Sequence, residues 1–382
     1  CQMLAGLPLA IELAAALVRQ WTCPEIAIEI QRSLDSLASS MRDMPERHRS
    51  LRATFERSWD LLETHEKDIL LKLAIFRGGF DVNAAQEIVG AQPTDLTTLM
   101  DKSLLRRNAD GRFDLHPLIG QYLQEKLGQD LHQRQSTLEE LSHYFARFLQ
   151  GAESKLKSSQ QPEFLERINK DFENIKSAWV FATENKYLDL IDQSLETLYL
   201  FFEGRSRFRD GVALFEAAWD GLDRGQHVYW RLALRLGALS YRVGEYDSSQ
   251  NLLEKSLQSS QELAIRQEEA FAHYALGNLS YLRGNFELAV QQYQSSLEIS
   301  QEEQASYQAS QALNGLGLAL YMQGEYAQAQ NYLQDSLKIH QQAGDPWGKA
   351  IRYNNLALIA HARGQYADAK DLYAQSPELR QF

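Results

Sequence analysis

The stretches YRVGEY (residues 241–246), YLRGNF (281–286), YMQGEY (321–326) and HARGQY (361–366) each begin forty residues after the one before. Each has a glycine followed by an aromatic residue, as expected where one helix ends in a left-handed cap and a second amphipathic helix begins. A fixed period of this length is typical of stacked helical hairpins that bury their apolar faces against neighbours. The sequence therefore predicts a mainly α chain in which residues 231–382 form an α-solenoid.

Small residues recur in the same register. Seven positions before each turn glycine there is a small residue, which a leucine precedes. Another small residue lies near the start of each second helix, at positions 249, 289, 329 and 369. Small side chains there predict a close approach of two helices. The pattern resembles the tetratricopeptide repeat, in a lengthened form similar to the repeats of large bacterial regulatory ATPases. The leucine–small pairs are Leu236–Gly237, Leu276–Gly277, Leu316–Gly317 and Leu356–Ala357.

The first helices of the repeats are expected to line the inner surface of the array. Aromatic and amide side chains on such a surface favour recognition of a protein or peptide. The alternative for Tyr281 and Tyr321 is that they fill the space between repeats. The candidate partner-binding residues are Tyr274, Asn278, Tyr281, Asn314, Tyr321 and Asn354.

Residues 45–128 have a different texture. Several short helical stretches precede LLRRNADGRFDLH (104–116), in which Asp110-Gly111 is a two-residue hairpin signal between short strands. Helices followed by a hairpin and one more helix predict a winged-helix domain. Residues 129–230 have helical periodicity without a regular repeat, which indicates a connector or divergent repeats.

An ordered series of motifs covers the first third of the chain: GLPLAIELAAALV (6–18), CPEIAIEI (23–30), the segment from Arg47 to Phe80, and GRFDLHPLIGQYLQEKL (111–127). The series resembles the second half of the nucleotide-binding module of STAND-class signal-transduction ATPases, the relatives of NB-ARC proteins. The resemblance implies that residues 1–44 end the helical subdomain of that module.

The resemblance also implies site residues. The Gly-Leu-Pro-Leu turn would place Pro8 against the adenine of a nucleotide, and His116 would contact the β-phosphate of ADP and hold an inactive state. An imidazole beside a helix N-terminus suits a phosphate. Leu115 and Pro117 flank this histidine in place of the Met and Asp of the fuller family motif. ADP or ATP with Mg is expected only together with an upstream part, and an open state would self-oligomerise.

No catalytic constellation is evident. The chain has no Gly-rich loop ending in Gly-Lys-Ser/Thr, and GDPWGKA (344–350) is one residue short and ends in Ala350, so it is interpreted as a helix start. Metal-binding and nucleophile motifs are also missing, so neither catalytic nor metal residues are assigned. This chain is predicted not to be an enzyme, whereas the longer protein is expected to be an ATPase switch.

Charge and cysteine usage restrict the partners and the compartment. The 382 residues carry a net charge of -12, which disfavours polyanions, and only Cys1 and Cys23 are present, which favours the cytoplasm. The apolar run Leu7–Val18 is too short to cross a bilayer. Since the chain opens on Cys1 and closes on SPELRQF, it is expected to be a piece of a longer polypeptide.

Three functions therefore compete. The favoured one is the sensor arm of a STAND-type ATPase, in which ligand binding to the repeats gates a nucleotide switch. A winged-helix transcriptional regulator is the second, although residues 42–126 lack an excess of basic charge and the candidate recognition helix 95–104 is apolar. A repeat scaffold without any link to nucleotide is the third.

Overall fold

A computed structural model describes residues Ala15, Val18, 22–32 and 51–376. Pro8 lies outside the described residues. The described chain is almost entirely helical, with one two-stranded antiparallel hairpin. In chain order the elements are α1 (Cys23–Arg32), α2 (Leu51–Asp60), α3 (Thr64–Leu73), α4 (Val82–Val89), α5 (Pro93–Asp101), β1 (Leu105–Arg107), β2 (Phe113–Leu115), α6 (Pro117–Gln129), α7 (Leu131–Leu156), α8 (Gln161–Lys170), α9 (Phe172–Glu184), α10 (Leu188–Gly204), α11 (Phe208–Trp219), α12 (His227–Ser240), α13 (Tyr246–Glu262), α14 (Arg266–Leu282), α15 (Phe286–Glu302), α16 (Ser306–Gln323), α17 (Tyr326–Gln342), α18 (Pro346–Ala362) and α19 (Tyr366–Ala374).

The chain divides into two compact units. The first comprises Cys1–Phe145 and Lys170–Phe181, and the second comprises Ala146–Asn169 and Ala182–Phe382. In neither unit is a described helix long and apolar enough to cross a membrane.

The first unit contains the predicted hairpin. Strand β1 pairs with β2 in the register Leu105 to Leu115, and Phe80 adds two further backbone bonds to Phe113, at 2.9 and 2.8 Å. The Phe80 ring is fully buried and stacks on Phe76 and Phe113. Helices, hairpin and α6 follow one another in the order expected of a winged helix, and the assignment to that domain class stays a prediction.

Gly79 is required where the chain passes the hairpin. It has a φ of +86°, and a Cβ there would lie 2.9 Å from the carbonyl oxygen of Phe113. Its own carbonyl accepts hydrogen bonds from Arg112 (2.9 Å) and from the buried amide of Asn174 (2.8 Å). Since Arg112 also pairs with Asp171 at 2.6 Å, the start of α9 is held to the hairpin by buried polar bonds.

The second unit contains the solenoid, which confirms the predicted fold class. Every turn between the two helices of a repeat ends at a glycine with φ between +73° and +93°, as the forty-residue pattern predicts. The small residues do allow close approach, because a Cβ on Gly277 would lie 2.7 Å from Tyr293 and one on Gly317 would lie 2.5 Å from Leu333. The turn glycines are Gly244, Gly284, Gly324 and Gly364.

The turns that join one repeat to the next also use the left-handed conformation. They place Ala264, Gln304 and Gly344 at φ of +55°, +55° and +64°. Each of the two non-glycine residues holds a conformation that is disfavoured by roughly 1–2 kcal/mol for a residue with a Cβ. The sequence pattern does not reveal this strain, because only the last of the three turns carries a glycine.

Candidate functional site

His116 occupies the predicted place, directly after the hairpin and before α6. It is the N-cap of α6, and its Nδ1 accepts a hydrogen bond of 3.3 Å from the backbone N–H of Leu118. An accepting Nδ1 leaves the ring hydrogen of the neutral imidazole on Nε2. The position at a helix N-terminus therefore suits a phosphate, and the contact with a nucleotide stays a prediction because Pro8 is outside the described residues.

Helix α5 is the candidate recognition helix for DNA. Leu96 and Leu99 are buried within the first unit, whereas the exposed face carries threonines and Asp101. Lys102, at the C-terminal end, is paired with Glu66 at 2.5 Å. A helix that contacts phosphates normally presents a basic stripe. The described face of α5 offers none.

The second unit contains a cavity of about 520 Å³ within the helical array. Its walls come mainly from the first helices of successive hairpins, α10, α12, α14, α16 and α18, together with Lys157 and His340. The volume lies within the range of roughly 300–1,000 Å³ found for ligand pockets. The repeat thus positions one helix per hairpin around a shared concave site.

Only part of the predicted partner-binding set reaches this cavity. Tyr274 and Asn314 line it, whereas Asn278, Tyr281, Tyr321 and Asn354 are not among its walls. Asn278 instead receives a bond of 2.7 Å from the hydroxyl of Tyr293, which joins two helices of one repeat.

Tyr281 and Tyr321 each pack against a hydrophobic cluster formed by two neighbouring repeats, as in the packing alternative. The Tyr281 ring lies 5.6 Å from that of Phe286, and the Tyr321 ring lies 5.8 Å from that of Tyr326. Each pair joins the first helix of a repeat to the second. These two tyrosines therefore fill space between helices, and the half-buried Asn354 lies outside the cavity walls.

Arg352 is a cavity residue that the sequence analysis missed. It is 3% exposed, and its Nε donates to Ser336 Oγ (2.9 Å) while its Nη2 donates to Gln311 Oε1 (2.6 Å) and to the carbonyl of Ser310 (3.3 Å). All these acceptors are neutral. Burial in such surroundings lowers the pKa of Arg352 below its ordinary value.

A signal for Arg352 is present in the repeat itself. The equivalent positions of the preceding units carry Leu232, Ala272 and Ala312, all fully buried. Core packing alone would favour a small or apolar residue at this position, because arginine is rarely buried unless it is paired. The arginine therefore points to a role other than packing. Comparing the units column by column would therefore have singled it out.

Ser310, His340 and Asp345 support the same wall of the cavity. Ser310 Oγ lies 2.9 Å from His340 Nε2, and His340 Nδ1 lies 2.8 Å from Asp345 Oδ2. The order of groups is that of a catalytic triad. However, Ser310 is 0% exposed, is not a cavity residue, and also donates to the carbonyl of Tyr307 at 2.9 Å. The hydroxyl has no access to a substrate, so the three residues form a buried supporting network.

The segment GDPWGKA is a helix start, as predicted. Asp345 caps α18 by accepting a hydrogen bond of 3.0 Å from the backbone N–H of Gly348, and Pro346 occupies the first turn. A Cβ on Gly348 would lie 2.1 Å from His340 Nδ1. Glycine is therefore needed here so that the His340–Asp345 pair can approach the helix backbone.

A second buried arginine lines the cavity from α12. Arg235 is 4% exposed and donates to Glu196 (2.7 Å) and Glu268 (2.6 Å), with its guanidinium 3.8 Å from the centre of the Phe271 ring. Burial alone would raise the pKa of Glu268, but Arg235 and Arg231 outweigh it and lower that pKa to about 2. This end of the cavity is an ion-pair cluster with its charges matched.

Glu203, on α10, is less well compensated. Its Oε1 has no hydrogen-bond partner among the described residues, and Arg242 Nε lies 3.8 Å away. The side chain lines the cavity and keeps 27% of its surface exposed. Burial raises the pKa of its carboxyl, an effect that Arg242 only partly offsets.

A metal site is not evident in this region. Within 22–32 and 51–376, no group of three or more His, Cys, Asp or Glu side chains is arranged to hold a metal ion.

Comparison with known proteins supports the repeat fold. Residues 231–302 and 308–381 match the family model of the tetratricopeptide repeat. A protein of Mycobacterium tuberculosis named as an HTH-type transcriptional regulator is 29% identical over 231 residues, which are 57% of this chain and 25% of the relative. The match thus spans about a quarter of the length of this curated relative.

Solved structures that the chain matches include a STAND protein with a tetratricopeptide repeat sensor from Pyrococcus horikoshii, with a TM-score of 0.47, 16% identity, and coverage of 97% of this chain and 60% of that one. A Rap protein complexed with competence and sporulation factor has a TM-score of 0.44, 13% identity, and coverage of 62% and 76%. The family match and the helical pattern together show that residues 231–302 and 308–381 are tetratricopeptide repeats.

Proposed function

We propose that this chain is the sensor region of a STAND-type signal-transduction ATPase and binds a protein or peptide ligand in the concave cavity of its repeats. The cavity is the observation that carries the proposal, because first helices from successive hairpins place charged, aromatic and amide groups around one space of about 520 Å³. Tetratricopeptide repeats supply such concave binding surfaces. The ordered motif series in the first third of the chain supports the link to a nucleotide switch.

Ligand binding would act on that switch only through a difference in affinity between two states. A ligand shifts an equilibrium by as much as it prefers one conformation over the other. In the proposed scheme the ligand prefers an open, ATP-loaded, self-oligomerising state, and His116 holds the closed state by contacting the phosphate of ADP. The imidazole at the N-terminus of α6 fits one such contact, and the remaining nucleotide contacts would come from Pro8 and an upstream part.

The test uses the full-length protein that contains the upstream region. His116→Ala should weaken ADP binding and raise basal ATPase activity, whereas His132→Ala, an exposed histidine on α7, should change neither. ADP affinity and basal activity untouched by His116→Ala would contradict the switch. ATP turnover by the 382-residue chain itself would contradict the assignment of catalysis to an upstream part.

DNA binding is the second candidate, because the matched mycobacterial relative is named as an HTH-type regulator. It predicts salt-sensitive retardation of duplex DNA by the chain in a gel-shift experiment. The acidic net charge and the lack of a basic stripe on α5 argue against it. Absence of retardation at low salt would remove this candidate.

A repeat scaffold without nucleotide chemistry is the remaining alternative. It predicts no phosphate-binding loop in the coding sequence upstream of Cys1. Reading that sequence separates it from the favoured function.

A further inference from the structure

The contact between α17 and α18 contains three buried ionisable side chains. His340, Asp345 and Arg352 are only 3%, 6% and 3% exposed. The equivalent positions forty residues earlier carry residues that hold no charge at any pH. These are Ser300, Ala305 and Ala312. The ionisable groups are therefore a property of the α17–α18 contact and not of the repeat.

Both ring nitrogens of His340 have partners. Nδ1 lies 2.8 Å from Asp345 Oδ2, and Nε2 lies 2.9 Å from Ser310 Oγ. Burial opposes the ionisation of Asp345, but hydrogen bonds from His340 and from the backbone N–H of Gly348 outweigh it and lower the pKa of the carboxyl. Because a carboxylate only accepts, the hydrogen of the neutral ring lies on Nδ1, and Ser310 donates to Nε2.

A neutral His340 leaves the charge of Asp345 to balance Arg352. The guanidinium donates to neutral oxygens on α16 and α17, and Asp345 acts on it as a counter-charge from beyond ion-pair distance. One carboxylate thus serves one buried cation as long as the imidazole carries no second proton.

Protonation of His340 would upset the charges rather than the hydrogen bonds. A hydrogen on Nε2 would be donated to Ser310 Oγ, whose own hydrogen can turn to the carbonyl of Tyr307, 2.9 Å away. The hydrogen bonds can therefore be kept. However, His340 and Arg352 would then be two buried cations beside the carboxylate of Asp345, and buried charge without a matching partner is destabilising.

The surroundings of His340 oppose this proton. The charged and titratable groups that face the ring are Asp345 and Arg352 on α18 and Tyr307 on α16, whose ring lies 6.4 Å away. Burial lowers the pKa of His340, and Arg352 adds to the effect, although the bond to Asp345 acts in the opposite sense. Tyr307 stays neutral, because burial raises the pKa of its phenol. The contact is therefore strongest above the ordinary histidine pKa of 6.5 and weakens as the pH falls below it.

We propose that the α17–α18 contact is an acid-sensitive switch, in which protonation of His340 places two buried cations beside Asp345 and loosens the last hairpin, α18 and α19, from the array. Arg352 joins α18 to α16 and α17, so the start of this hairpin is where the contact opens. The inference depends neither on the nucleotide switch nor on a ligand in the cavity.

The test is hydrogen–deuterium exchange of the 382-residue chain at pH 7.5 and pH 5.5, with rates corrected for the intrinsic effect of pH on exchange. Peptides from α18 should lose protection at the lower pH by up to about tenfold, the limit set by a histidine pKa of about 6.5 in the open state. Peptides from α14, which lies in an earlier repeat, should keep their protection.

Variants assign the effect to the proposed groups. His340→Gln should abolish the loss of protection, whereas His273→Gln should retain it, because that half-buried histidine of α14 lies 2.7 Å from the neutral amide oxygen of Gln292. A triple variant, His340→Ser with Asp345→Ala and Arg352→Ala, gives the contact the residues of the preceding repeat and should also be insensitive to pH. Circular dichroism confirms that each variant is folded.

A titration of the wild-type chain checks the sign without any reliance on a variant's stability. The C2 proton of His340, identified by its absence from the NMR spectrum of His340→Gln, should titrate below pH 6.5. Titration at or above that pH would overturn the proposal. Equal protection of α18 at both pH values, or a loss that survives in His340→Gln, would overturn it too. No nucleotide is present, so these results are independent of the ADP measurements on His116→Ala.

Discussion

Arg235 and Arg352 are both almost fully buried and line the same cavity, yet their surroundings differ in charge. Arg235 lies between two carboxylates, whereas Arg352 donates to two side-chain oxygens and a carbonyl that carry no charge. A buried charge destabilises a fold unless it is paired and hydrogen-bonded. The comparison teaches that one arginine is neutralised by carboxylates that contact it, whereas the other is hydrogen-bonded to neutral groups and has Asp345 only as a more distant counter-charge.

The largest effect is expected from breaking the matched cluster. Arg235→Met should lower the free energy of unfolding by about 3–5 kcal/mol, because it leaves Glu196 and Glu268 buried without their shared cation. Urea denaturation of the wild-type and variant chains measures the change. Arg363→Met, at the exposed residue that follows α18, is the control and should have little effect. A loss equal to that of the control would show that the cluster is not stabilising.

Acid should weaken the same cluster. The pKa of Glu268 is about 2 in the folded chain against an ordinary 4.5, so the unfolded chain binds the proton at higher pH. The stabilisation is therefore complete above about pH 4.5 and is lost as the pH falls toward 2, by on the order of 3 kcal/mol. Urea denaturation at pH 5 and pH 2.5 tests this. Glu268→Gln should flatten the dependence, whereas Glu325→Gln should retain it.

Removing the other arginine should matter less for stability. Arg352→Met leaves neutral acceptors unpaired but also removes a buried charge that has only Asp345, beyond ion-pair distance, as a counter-charge, so the net loss should stay below about 1.5 kcal/mol. The same denaturation experiment compares it directly with Arg235→Met. A loss as large as that of Arg235→Met would mean that the two arginines play the same structural role.

The smallest effect is expected at Glu203. Burial raises the pKa of its carboxyl, so protonation favours the folded chain and the stability falls as the pH rises above about 4.5. Glu203→Gln should therefore raise the melting temperature slightly at pH 7, and the difference should vanish at pH 4. A variant that melts below the wild-type chain at pH 7 would show that Arg242 compensates the carboxylate fully.

The repeat array was predictable because its residues recur. The turn glycines at 244, 284, 324 and 364 and the small residues that admit Tyr293 and Leu333 follow from the period alone. The hairpin at β1 and β2 followed from Asp110-Gly111. The candidate recognition helix was predicted over 95–104 but ends at Asp101, because Ser103 takes a left-handed conformation. Serine at that position does not predict such a conformation.

The cavity was less predictable, because most of the charged residues that line it do not recur from repeat to repeat. Tyr274 and Asn314 were predicted from the first helices, but Arg352, Lys157 and Glu203 do not recur from repeat to repeat. A periodic analysis averages over the positions that differ, and those positions supply charged groups of the cavity. Sequence reasoning also cannot assign a hydrogen bond such as that from Arg352 to Ser336, since it depends on how two helices meet.

The period of forty residues has a consequence for how such a chain can evolve. Duplicating or deleting one unit would preserve the general packing of one hairpin on the next, since each unit places its small residues and turn glycine at the same positions. It would also change the number of helices that separate α10 from α18, and with it the set of side chains that line the cavity. A change in repeat number would therefore leave the repeat fold as it is and alter the cavity.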